Sequence, residues 1–126
     1  MPAWTDSELS KIGAADELKI ASQRPDGSLR GDVIIWTVRV GDDIYVRSAY
    51  GSTNPWYRRA VASGLGRIKA GGVQKDVEFV DAAADDHAAI DAAYHAKYDR
   101  YGPAIVGSVV GPDAASATLR LVPRGA

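Results

Sequence analysis

A chain of 126 residues fits one domain with one core, expected to span 1–126, and its 46% hydrophobic and 25% charged content excludes wholesale disorder. There is no cysteine, which excludes disulfides, thiolate metal sites and a cysteine nucleophile. A net charge of −1 argues against a general nucleic-acid or membrane binder, but the charge is unevenly spread: residues 46–75 carry Arg47, Arg58, Arg59, Arg67, Lys69 and Lys75 with no acid, between two acidic flanks.

The opening MPAWTDSELSKIG has no apolar run of signal-peptide length, and nothing in the chain approaches the ~20 apolar residues of a membrane span, so a reducing, cytoplasmic setting is expected. Thr5 to Ala15 predicts a short helix, with Thr5 and Glu8 at capping-box spacing. Leu18 to Ser22 reads as a strand, and RPDGSLRG (Arg24 to Gly31) as a turn in which Pro25 fixes φ and Gly27 accepts a positive one.

Val33 to Val40 (VIIWTVRV) is the clearest strand, rich in β-branched residues. A three-residue loop, Gly41-Asp42-Asp43, would pair Val40 with Ile44 and Val38 with Val46. Ile34, Trp36, Val38, Ile44 and Val46 then share one apolar face, and Thr37, Arg39, Tyr45 and Arg47 the other. A two-residue loop would shift the register by one.

Asn54-Pro55 begins a second helix that Gly64 and Gly66 end. A hairpin follows around Gly71-Gly72, from Arg67 to Ala70 and Val73 to Val80. Asp85 to Tyr101 predicts the longest helix, stopped by Gly102-Pro103; beyond a glycine-rich loop, Ala117 to Val122 supplies the last strand. Six strands, mostly in hairpins, with about three helices predict an α+β small barrel, with an open sheet as the alternative.

The stretch Ser48 to Ala60 (SAYGSTNPWYRRA) carries the functional signal. A helix start has unpaired backbone N–H groups and partial positive charge, so Arg58 and Arg59 beside it, with Arg47 arriving from the preceding strand, need compensation. A phosphate held by Arg47, Arg58 and the hydroxyls of Ser48, Ser52 and Thr53 would supply it, with Trp56 and Tyr57 placed to stack on an attached ring. In the alternative, the arginines face water or pair with acids such as Asp76 and Glu78, and Trp56 is core. The hydroxyls and the misplaced cations favour the anion. The interleaved Trp56-Tyr57-Arg58-Arg59 also has the character of a single-strand binder, but the acidic remainder of the chain would repel a long polyanion.

On the third helix, Ile90, Tyr94, Lys97, Tyr98 and Tyr101 fall on one face, expected to pack on the barrel, with Tyr94 or Tyr98 closing a ligand pocket as the functional variant. Asp91, His95 and Asp99 lie four apart; a solvated charged face is expected there in preference to a metal, and His87 is read as surface or a local hydrogen-bond partner. No G-x-S-x-G, H-E-x-x-H or P-loop pattern supports hydrolysis or nucleotide cleavage.

The run RPDGSLR, VIIWTVRVGDDIYVRSAYGSTNPWYRRA, GRIKAGG and AYHAKYDRYG resembles a bacterial domain-of-unknown-function family, number 2255. That family is similar to the split-barrel flavin-binding proteins, most closely their deazaflavin-dependent nitroreductase branch. The resemblance covers roughly Gln23 to Tyr101. It implies a six-stranded split β-barrel, often dimeric, holding the phosphate of FMN or a deazaflavin coenzyme after the third strand. Carried over residue by residue, Arg47, Ser48, Ser52, Trp56 and Arg58 become cofactor-contact candidates, with Tyr57 and Trp36 as further ring neighbours. The first turn lacks the fuller Lys/Ser/Gly run of deazaflavin binders, and no catalytic residue matches. The expected partners are a small anionic ligand and a second copy of the chain. The leading reading is therefore a flavin- or deazaflavin-dependent oxidoreductase, and the other is a non-catalytic module for an anionic metabolite or an acidic protein.

Overall fold

The computed structural model describes residues 3–49, 51–82 and 84–124. Helix α1 (Asp6–Ala14) starts at Thr5 with both capping-box bonds formed: the Glu8 N–H donates to Thr5 Oγ1 (3.1 Å) and the Thr5 N–H to Glu8 Oε1 (2.9 Å). Such a cap is worth about 1 kcal/mol. The Thr5 N–H holds the Glu8 carboxyl below its ordinary pKa, against the opposing effect of burial and with help from Lys75.

Strands β1 (Leu18–Ser22), β2 (Val33–Ile35), β3 (Thr37–Val40) and β4 (Asp43–Arg47) follow; helix α2 (Pro55–Ser63) and the hairpin β5 (Leu65–Ala70) and β6 (Val73–Asp81) come next. Helix α3 (His87–Tyr98) runs into a single 3-10 turn (Asp99–Tyr101). Two short helices, α4 (Pro103–Val106) and α5 (Pro112–Ser116), occupy the region expected to be loop, and β7 (Thr118–Pro123) ends the fold. Each short helix begins with a proline in its first turn, where the missing N–H costs nothing.

All seven strands form one antiparallel sheet in the order β2-β1-β5-β6-β7-β4-β3. The two marginal strands are halves of the same run, Val33 to Val40, so the sheet curls into a nearly closed split barrel. The expected second strand, Val33 to Val40, is thus two elements. It breaks at Trp36, whose indole leaves the ladder and stacks on Tyr98, with centroids 4.0 Å apart and planes at 5°. The neighbouring Thr37 N–H donates to the Tyr98 hydroxyl (3.1 Å), which donates in turn to the Asp16 carbonyl (2.6 Å).

The β3–β4 hairpin departs from the three-residue loop. Val40 pairs with Asp43 and Val38 with Tyr45 across a two-residue turn, Gly41-Asp42, that Gly41 permits with φ 61°. The one-residue shift breaks up the expected apolar face. Ile44 and Val46 enter the barrel core, Val38 and Tyr45 pack under α3, and Ile34 is exposed. Alternation misleads here because β4 is buried on both sides from Ile44 onward.

Two cores result. Leu9 and Ile12 of α1 join Ile20, Ile44, Val46, Ile68, Leu119 and Leu121 inside the barrel. Ile90, Tyr94 and Tyr98 of α3 join Val38, Tyr45, Val106 and Val109 outside it. The Gly71-Gly72 turn forms as expected, pairing Ala70 with Val73. A Cβ at Gly71 would sit 2.2 Å from the Lys11 carbonyl oxygen, so α1 can close on this turn only because the position is glycine. Among the described residues, no helix is long and apolar enough to cross a membrane.

Candidate functional site

The basic block does not act as a unit. Arg67 pairs with Asp76 (2.7 Å), Lys69 with Asp32 (3.2 Å), Lys75 with Glu8 (3.4 Å), and Arg47 with Asp91. Arg58 and Arg59 remain, both exposed and with no carboxylate partner among the described residues. Both line a groove of about 810 Å³ whose walls are the Arg24–Arg30 turn and helix α2.

Local structure dictates this arrangement. In α2, Trp56, Tyr57 and Ala60 turn towards the barrel core, which leaves Pro55, Arg58, Arg59 and Ala62 on the outer face at i, i+3, i+4, i+7 spacing. Opposite them, Asp26 accepts from the Ser28 N–H (2.9 Å) and hydroxyl (2.6 Å), while the Arg24 N–H donates to the Ser28 carbonyl (2.7 Å). These bonds close the turn and hold its basic ends in place. Arg24 is steadied by donating from Nη1 to the Leu29 carbonyl (2.9 Å). The Gln23 N–H donates to the Leu65 carbonyl (2.9 Å), fixing the turn beside the end of α2. Four arginines, Arg24, Arg30, Arg58 and Arg59, therefore line one groove with no acid among its lining residues. Pro25, Pro55, Ala62 and Leu65 give it apolar surface.

The expected site residues are separated. Arg58 reaches the groove. Ser52 is exposed in the loop before α2, and Tyr50 of the same loop lies outside the described residues. Trp56 and Tyr57 are half-buried, packed on the barrel core and edge-to-face with each other at 6.0 Å, and burial followed by the Asp81 charge pushes the Tyr57 phenol up. Ser48 is buried; its hydroxyl donates to the Gly51 carbonyl and accepts from Asn54 Nδ2 (2.9 Å). Asn54 thus ties down the loop instead of capping α2 through its side chain.

Arg47 lies on the other side of the sheet, beneath α3, and does not reach the groove. Its guanidinium is fully buried and donates to Asp91 Oδ1, the Val109 carbonyl (2.9 Å) and Thr118 Oγ1 (3.0 Å), with His87 Nδ1 2.9 Å away. It also stands over the Tyr94 ring at 5.5 Å. The Tyr94 hydroxyl is buried with no hydrogen-bond partner among the described residues, and burial pushes its pKa up. Asp91 therefore turns inward, while His95 and Asp99 pair with each other on the exposed face (2.8 Å). Among the described residues no three such side chains form a metal-holding group.

Trp36 occupies a different place again. It borders a pocket of about 500 Å³ with Ala15, Asp16, Glu17 and Tyr101, at the opposite end of β1 from the groove. The seven residues from Glu17 to Gln23, six steps of extended chain, separate the two by roughly 20 Å.

A family model described as "Uncharacterized protein conserved in bacteria (DUF2255)" matches residues 8–121. The chain belongs to the DUF2255 family. No curated protein sequence matches this DUF2255 chain significantly. Among solved structures it is similar to one titled "F420 Reductase" (15% identity, TM-score 0.59, covering 97% of each chain). It is also similar to a putative pyridoxamine 5'-phosphate oxidase from Listeria innocua (12% identity, TM-score 0.61, 95% of this chain and 93% of that one). A third is an FAD and heme binding protein from Mycobacterium smegmatis (17% identity, TM-score 0.53, 98% and 67%). At these identities the likeness establishes the split-barrel fold of the DUF2255 chain.

Sequence reasoning missed Arg24 and Arg30 as partners of Arg58. The available signal was the pair of arginines bracketing a rigid turn that β1 carries to the side of β5.

Proposed function

We propose that this DUF2255 chain binds a flavin-type cofactor, FMN or a deazaflavin coenzyme, with its anionic part between Arg24 and Arg30 on one wall and Arg58 and Arg59 on the other. The observation that carries this reading is that four arginines line one groove whose lining holds no acid. Guanidinium forks match phosphate oxygens in geometry and charge. The donor set fits a phosphate, and the proline and leucine surfaces offer an apolar bed for a ring. Support comes from two neighbours on the same fold, an F420 reductase and an FAD and heme binding protein. When bound, such a cofactor supplies hydride chemistry, and the protein's part is to bind, orient and shield it.

The test is titration of the purified chain with FMN, a deazaflavin coenzyme and inorganic pyrophosphate, followed by fluorescence quenching and melting temperature. Micromolar affinity that weakens with added salt is expected. If none of the three quenches or raises the melting temperature at high protein concentration, the reading fails.

A second reading has its own observation. Among the described residues the groove lining contains no histidine, carboxylate, lysine or tyrosine, so it offers a bound ligand hydrogen-bond donors but no general acid. That composition favours a non-catalytic module for an anionic metabolite, for which pyrophosphate would bind as well as FMN does. Under either reading we expect a homodimer in the cytoplasm, joined through exposed apolar side chains such as Ile34 (56% exposed) and Ile105 (52%). Light scattering at the monomer mass would remove that expectation.

A further inference from the structure

A second groove, of about 350 Å³, runs between α1 and α3 over β3, apart from the four-arginine site. Leu9, Val38, Ala93 and Ala96 give it an apolar floor, and Arg39 and Lys97 are its two charged groups. The amine of Lys97 is held in place: Nζ donates to the Thr37 carbonyl (2.7 Å) and lies 5.1 Å from the centroid of the Tyr98 ring. Unlike Lys69 and Lys75, it has no carboxylate partner among the described residues. The nearest acid, Asp16, is taken up by Arg100, with Nη2 2.6 Å from both oxygens, and by the Tyr101 hydroxyl (2.8 Å). On the α1 side the groove is lined by Leu9, Ser10 and Gly13, none of them titratable.

We infer that Lys97 is an acylation site, and that the groove beside it admits a small acyl phosphate whose phosphate lies towards Arg39. A half-buried ammonium without a counter-charge is poorly solvated, so the neutral, nucleophilic amine is more populated there than on an exposed lysine. Burial moves Lys97 down to about 8; the charge of Asp16 works against this and that of Arg100 with it. In the reaction the amine lone pair attacks the acyl carbon and a C–N bond forms. The bond from that carbon to the phosphate oxygen breaks, phosphate leaves with the electron pair, and the proton lost by nitrogen passes to phosphate or water. The product amide carries no charge and one donor in place of three, which loosens the tie between α3 and Thr37.

The probe is acetyl phosphate on the full chain, with acetylation of Lys11, Lys19, Lys69, Lys75 and Lys97 followed separately by peptide mass spectrometry. At pH 7.5, Lys97 is expected to react about tenfold faster or more than the exposed Lys11 and Lys19. Its rate should level off a little above pH 8, whereas an unperturbed amine would keep gaining until about pH 10. Arg39→Gln should slow Lys97 towards acetyl phosphate but not towards an uncharged acetylating ester. A Lys97 rate equal to those of Lys11 and Lys19, or still rising at pH 10, would overturn the site. An unchanged rate in Arg39→Gln would overturn the acyl phosphate as its donor.

Discussion

Replacing Asp91 with alanine is expected to cost the fold about 3 kcal/mol and to lower its melting temperature by roughly 10 °C. Arg47 has no exposed side-chain surface, and Asp91 is its one carboxylate partner among the described residues. Truncation would strand a guanidinium in the interior without a carboxylate among the described residues, beside the Val109 carbonyl, Thr118 and the His87 ring. The figure sits at the low end for a broken buried pair because Asp91 is itself 33% exposed and water could partly replace it. Asp91→Asn keeps an oxygen acceptor and should recover part of the loss, and replacing both partners with apolar residues should recover more. Urea unfolding of the three variants measures this directly. A midpoint in Asp91→Ala equal to that of the native chain would show that the pair carries no such weight.

Converting Arg58 and Arg59 together to glutamine is expected to weaken binding of FMN or a deazaflavin coenzyme by roughly a hundredfold or more, since each charge-assisted contact to phosphate contributes about 1.5–3 kcal/mol. Both side chains are exposed and unpaired among the described residues, so the variant should melt close to the native temperature. The dependence of affinity on salt should flatten at the same time. Arg67→Gln is the control: it lies in the same basic block but is engaged by Asp76, and should leave affinity unchanged. Equal losses in the control and the double variant would mean that net charge, not the groove, governs binding.

What could be read from the sequence was whatever is decided within a few residues. The Thr5–Glu8 cap, the Gly71-Gly72 turn and the Asn54-Pro55 helix start all depend on neighbours in the chain, and all three appear as expected. The bending of Val33 to Val40 at Trp36 was hidden because its cause, the stack on Tyr98, lies 62 positions away. Arg47 was misplaced for the same reason: its carboxylate is 44 positions distant on α3. The concentration of positive charge between 46 and 75 was plain, but four of its six members are paired in the fold and only Arg58 and Arg59 line the groove. Their companions Arg24 and Arg30 arrive through the pairing of β1 with β5, a contact that no local pattern announces.

A sheet with open margins invites another chain to add a strand. Here a single peptide segment forms both margins, joined through Trp36. Trp36 ends each margin where it stacks on Tyr98, so β2 offers three residues and β3 four, and an incoming strand has little ladder to extend.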